Sequence, residues 1–77
     1  MAYNRGKILP RFIVLDYEDG TEKRIDMVGT REQARKKARQ RAKFYKCNAY
    51  VYYCETDSVH VDYIVPKDGG ETYGEGN

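Results

Sequence analysis

Cys47, Cys54 and His60 supply the only thiols and the only imidazole in the 77-residue chain. A thiol beside an imidazole is the pairing a cysteine nucleophile requires. A hairpin turn of odd length between them would bring Cys54 near His60. Nothing nearby offers a third group to orient the ring or an oxyanion hole, so a cross-strand surface histidine is the simpler expectation. The same three residues lack the paired spacing of a zinc site. Asp16, Glu18 and Asp19 lack the length and alternation of a calcium loop. The tail glycines follow neither a P-loop nor a dinucleotide fingerprint. The chain is therefore expected not to be an enzyme and to need no cofactor, metal or small-molecule substrate.

Cations and tyrosines remain. The net charge of +2 hides a strong segregation. Residues 30–47 carry eight Lys/Arg against Glu32 alone, and residues 48–77 carry Lys67 against six acids. Arg35, Lys36, Arg39, Lys43 and Lys46 group on one side of a helix at 100° per residue. Charge runs are ordinarily solvated helix faces. Here the acids that would form i,i+4 pairs are almost absent, and uncompensated like charge destabilises a helix. The stripe is thus a candidate binding face for nucleic acid, for an acidic protein, or for the chain's own acidic tail. Without evident base-reading side chains, any nucleic-acid contact should be mainly to the backbone.

The chain has eight tyrosines and no tryptophan, with Tyr50, Tyr52 and Tyr53 in one apolar run. Tyrosine suits half-buried strand positions, which explains most such runs. Stacking of nucleic-acid bases on these rings is a second use.

Five elements position these residues. ILPRFIVLDY (8–17) and residues 22–28 read as strands joined at Asp19-Gly20, a signal for a two-residue turn. That loop pairs Asp16 with Lys23, Val14 with Ile25 and Phe12 with Met27. Phe12, Val14, Ile25 and Met27 are then expected to face the core, leaving Ile13, Leu15 and Tyr17 on the far side. Thr30 is a good N-cap, with Gln33 placed for a capping box. The helix should run over residues 31–46, with Asn48 available for a left-handed exit. Ala34, Ala38, Ala42 and Tyr45 form its buried stripe, with Phe44 beside it and Arg41 snorkelling at the rim.

Residues 48–55 and 59–65 are two further strands in ambiguous register. An odd loop, slightly preferred, puts Ala49, Val51, Tyr53, Val59, Val61 and Tyr63 on the core face, with Tyr50, Tyr52, His60 and Asp62 outside. An even loop puts Tyr50, Tyr52 and Cys54 inside with the valines. Residues 1–7 read as an irregular arm, 8–65 as one domain, and 66–77 as a disordered acidic Gly-rich tail. The expected class is α+β: a ββαββ chain, with a four-stranded, mainly antiparallel sheet and one basic helix packed on one face.

A single helix covers a single face. The open face, expected to carry Ile13, Leu15, Tyr17, Tyr50 and Tyr52, is a candidate interface for a protein partner or a homodimer.

A hairpin, the Thr-initiated, alanine-spaced helix TREQARKKARQRA and a Tyr/Val hairpin together resemble small ββαββ proteins of bacteriophages and prophages. Several of those are stoichiometric inhibitors of host machinery, including CRISPR nucleases. The resemblance spans residues 8–65, is one of architecture, and carries no functional residue over. It implies a viral inhibitor that occupies a host protein surface.

No run approaches the ~20 apolar residues of a membrane helix, and no N-terminal secretion signal is evident. About 20 Å of extended strand between Cys47 and Cys54 is too far for a disulfide. Both features suggest free thiols in a reducing compartment, and hence a cytoplasmic protein, in the host cytoplasm if phage-encoded.

Overall fold

A computed structural model describes residues 7–67 and the backbone of Thr72–Tyr73. The chain runs β1 (Leu9–Asp16), β2 (Glu22–Gly29), α1 (Arg31–Tyr45), β3 (Asn48–Cys54), β4 (Val59–Val65) and β5 (Thr72–Tyr73). One sheet holds the strands in the order β2-β1-β3-β4-β5, every neighbouring pair antiparallel. The expected α+β, ββαββ arrangement is present, extended by a fifth short strand. Residues 72–73 of the segment expected to be a disordered tail pair with Tyr63 and Ile64. The remaining expectations for the arm and tail fall on residues 1–6, 68–71 and 74–77, outside the described residues. No helix among the described residues is long and apolar enough to cross a membrane.

The first hairpin closes differently from the expectation. Gly20 N–H donates to Tyr17 C=O (3.1 Å) and Tyr17 N–H to Thr21 C=O (2.9 Å). Gly20 takes φ +89°. This is a three-residue loop, a tight turn followed by a positive-φ glycine, rather than a two-residue one. Asp19 braces it by accepting from both the amide and the hydroxyl of Thr21. The extra residue slips the register by one: Ile13 faces Ile25 and Asp16 faces Glu22. Because side chains alternate, the slip exchanges the two faces of β1. Ile13 and Leu15 are fully buried beneath the helix, and Tyr17, Ile25 and Met27 pack against that core. Phe12 and Val14 point the other way. The assignment of Ile13, Leu15 and Tyr17 to an open interface is corrected accordingly.

The helix forms as its capping signals require. Thr30 Oγ accepts from Gln33 N–H, and the Gln33 side chain accepts from Thr30 N–H. Its exit lies at Lys46 (φ 54°, ψ 53°) and not at Asn48, with Lys46 N–H donating to Ala42 C=O. Ala34, Ala38 and Ala42 are enclosed, so the backbone lies close over Ile13, Leu15, Ala49 and Val51. Tyr45 overhangs the sheet end, 43% exposed, and meets Tyr17 edge-on.

The second hairpin fits neither simple register. A bulge shifts the pairing between Val51 and Tyr52, from Val51↔Tyr63 to Tyr52↔Val61. Asp62 is the inserted residue, and it is fully buried. Ala49, Val51, Tyr53 and Tyr63 lie on the core side as the odd loop required. Val59 and Val61 do not, and His60 and Asp62 are not outside. The bulge turns Asp62 to where Arg11 NH1 donates to its Oδ2 (2.5 Å) and Arg31 Nε lies 3.4 Å from its Oδ1. Arg11 Nε also donates to Gly29 C=O at 2.9 Å. Strand β1, the helix start and β4 are thus joined by one buried ionic cluster.

Candidate functional site

The open side of the sheet is a grid set by strand register. Val14 on β1 faces Tyr50 on β3, which faces Ile64 on β4. One row along, Phe12 faces Tyr52, which faces Val61. All six are partly exposed, and α1 lies on the other side of the sheet. The Phe12 and Tyr52 rings stack at 4.8 Å between centroids and 16° between planes. Arg24 on β2 lays its guanidinium 4.0 Å from the Phe12 centroid while its Nε donates to Asp26 Oδ1 at 2.8 Å. Cation and ring attract through the ring quadrupole. Val28 and Val59, 70% and 53% exposed, extend the apolar area beyond Phe12 and Tyr52.

Charge frames this patch on the β2 side. Asp16 pairs with Glu22 at the turn end, and Asp26 lies beside Phe12, against the single cation Arg24. Among the described residues the β2 side of the patch thus carries three acids against one cation, while its centre offers aromatic and aliphatic surface.

Of the expected sheet-face residues, only Tyr50 and Tyr52 lie here; Ile13, Leu15 and Tyr17 face the helix. Sequence reasoning missed Phe12, Val14, Val61, Ile64 and Arg24. Charge parity on β1 favoured the wrong face. Arg11 shares its face with Ile13 and Leu15, and an arginine on a core face needs a buried acid, which Asp62 supplies.

Among the basic-face candidates, Lys36, Arg39, Lys43 and Lys46 are exposed. Arg35 is not a free member of the stripe. It sits at the flank of the alanine stripe, where its Nε donates to Tyr63 Oη (2.8 Å) and NH1 to Glu32 Oε1 (2.7 Å). The bond to Glu32, then that to Tyr63, holds its guanidinium even more firmly protonated than usual. Phe44 is 77% exposed near the end of this helix.

The thiols and the imidazole are not brought together as a nucleophile and base. Val59, not His60, faces Cys54; His60 faces Tyr53 and stacks on it at 5.0 Å. Ser58 Oγ (2.7 Å) and Glu55 Oε1 (2.9 Å) both approach the same imidazole nitrogen, Nε2. A catalytic triad needs the hydroxyl and the acid on opposite nitrogens. Cys47 is buried and its thiol pKa is pushed up, first by burial and then by Asp16, which disfavours the nucleophilic thiolate. Both cysteines are free thiols. Among the described residues no three His, Cys, Asp or Glu side chains cluster as a metal site would need.

No protein-family model matches this chain, and no curated protein or solved structure is significantly similar to it.

Proposed function

We propose that this chain is a non-enzymatic binding protein that captures a protein partner on the open face of its sheet. The observation that carries the proposal is the continuous grid of Phe12, Val14, Tyr50, Tyr52, Val61 and Ile64, partly exposed on the side away from α1. Soluble domains seldom leave a contiguous apolar area of this kind without a use. Interface cores favour aromatic residues, with charges displaced to the rim. The acidic frame selects a partner that is apolar at its centre and basic at its margin. Occupying such a surface stoichiometrically is how an inhibitor of the phage type would act.

A second reading rests on the other side of the molecule. Lys36 and Lys43 on α1 and Lys46 at its left-handed cap extend over about 15 Å at 1.5 Å per residue, and could lie along a phosphate backbone. That binding would weaken with salt by a log–log slope of about −3 for three phosphates.

Affinity capture from cell extract with three forms of the protein separates the readings. The forms are wild type, Tyr52→Lys, and the triple variant Lys36→Gln/Lys43→Gln/Lys46→Gln. A specific protein should be retained by wild type and the triple variant and lost with Tyr52→Lys. Calorimetry with that purified protein should give 1:1 binding and a negative heat-capacity change, the sign of apolar burial. Retention of the same protein by Tyr52→Lys would overturn the sheet-face reading. Nucleic acid lost only from the triple variant would favour the helix instead.

A further inference from the structure

The edge strand β2 borders the open face and also presents a main-chain edge of its own. In the sheet order β2-β1-β3-β4-β5, β2 is an outermost strand, eight residues long and paired on one side only among the described residues. The bond from Tyr17 N–H to Thr21 C=O fixes the hydrogen-bonding phase of the hairpin. Antiparallel partners alternate between bonded and non-bonded pairs. Lys23, Ile25 and Met27 therefore turn their main-chain groups toward β1. The N–H and C=O groups of Glu22, Arg24, Asp26 and Val28 point away from the sheet.

We infer that these outward groups pair with β2 of a second copy, joining two sheets antiparallel into one continuous sheet. Charge on β2 decides the register. Keeping the open faces of the two copies on the same side requires residues of the same alternation to face each other. Centring the pair on Arg24 sets Arg24 against Arg24 and Glu22 against Asp26. Centring it on Lys23 or on Asp26 sets that residue against its own copy. Like charges directly opposite are destabilising.

Centring on Ile25 removes every clash while pairing residues 22–28; centring on Met27 also avoids clashes but overlaps only the second half of the strand. Ile25 then meets Ile25, and Arg24 of each copy meets Asp26 of the other, twice by symmetry. In that register Arg24 faces Asp26 and Glu22 faces Val28, so the residues with outward main-chain groups meet each other. Every alignment that keeps the open faces together meets the hydrogen-bonding phase, so charge and length of overlap select among them. Alternating charge ordinarily protects an edge strand from pairing. On β2 it disfavours alignments centred on Lys23, Arg24 or Asp26 and permits this long one. Arg24 and Asp26 already bond within one chain, 60% and 73% exposed, so exchanging that bond across the interface needs no burial of unpaired charge.

Sedimentation equilibrium of the full chain tests this. The weight-average mass should rise with concentration from 9.0 kDa toward twice that value, without further growth. Arg24→Asp and Asp26→Arg should each return the protein to a monomer. Combined, they should restore the dimer, since each new pair again unites opposite charges. Asp26→Pro removes an outward N–H that β1 does not use, so it should also give a folded monomer. Thermal melts confirm that each variant remains folded. A monomer at millimolar concentration would overturn the proposal, whatever covers the edge. So would an association that both single charge reversals leave intact, or a double variant no more associated than the single ones. Tyr52→Lys, on β3 and not on β2, should lose the extract-derived partner yet keep the dimer, which separates this edge from the open-face reading.

Discussion

Under the helix, Ile13, Leu15, Ala49 and Val51 are completely enclosed, and the buried charges Arg11, Arg31 and Asp62 lie together. On the opposite side of the same two strands, Phe12, Val14, Tyr50 and Tyr52 keep part of their surface in contact with solvent. Both sides are apolar by composition, yet they differ in what holds them. The covered side combines small alanines, close-packed aliphatics and one ionic cluster, each dependent on the others. The open side consists of large rings and branched chains supported mainly by their cross-strand neighbours. Stability should therefore reside on the first side, and tolerance to substitution on the second.

The largest test removes the acid from the cluster. Asp62→Ala leaves Arg11 and Arg31 buried without their carboxylate, a change that typically costs about 3–5 kcal/mol. A domain of this length has on the order of 4–11 kcal/mol of stability in total. Urea melts should show a variant near the limit of folding. A loss below about 1 kcal/mol would mean that water reaches the cluster, and the contrast between the faces would weaken.

Next comes a matched pair on one strand. Leu15→Ala should cost about 2–4 kcal/mol through lost contacts and a cavity. Val14→Ala, one residue away on the open side, should cost about 1 kcal/mol or less. Equal losses in chemical denaturation would show that both faces are enclosed.

Smaller again is the contrast within the helix. Arg35→Gln gives up charged hydrogen bonds to Tyr63 and Glu32 at a partly exposed site, and should cost about 1 kcal/mol. Lys36→Gln, Lys43→Gln and Lys46→Gln should leave the thermal midpoint unchanged or slightly raised, since repulsion among like charges is relieved.

The smallest effect is a dependence on acid at the first turn. Glu18 titrates below its ordinary value because its carboxylate bonds to Lys67, and Asp19 because it accepts from Thr21. A carboxyl group depressed in the folded state stabilises it above the unfolded pKa, and that contribution disappears as pH falls through the folded pKa. Both groups are exposed, so the loss below about pH 4 should be slight. Asp19→Asn should flatten it in melts run from pH 5 to pH 2.5.

Much of this fold could be read from residue types. Thr30 and Gln33 announced the helix start, and the alanines at four-residue spacing announced its buried stripe. Asp19-Gly20 announced a turn, but the same dipeptide serves two- and three-residue loops, and β1 is apolar on both faces. Periodicity alone could not choose between the loops, so a slip of one residue exchanged Ile13 and Leu15 for Phe12 and Val14 at the candidate site. Tyr50 and Tyr52 escaped the exchange because their placement followed from the odd-loop register of the second hairpin and not from the first turn. The bulge at Asp62 was hidden for a different reason. An aspartate in a strand reads as solvent-facing unless its partners are known, and Arg11 lies 51 residues away.

That separation along the chain governs how the molecule is assembled in time. Each hairpin and the helix involve neighbours in sequence and can form within microseconds. Strand β1 reaches β3 only across β2 and α1, and Arg11 meets Asp62 only once β4 has also arrived. Closing so long a loop is the slow, entropically costly step. A cluster completed after that step is a latch: it adds little to the speed of closing and much to the time the closed molecule stays shut. Its worth to the protein is a longer native lifetime, felt in the rate of unfolding more than in the rate of folding.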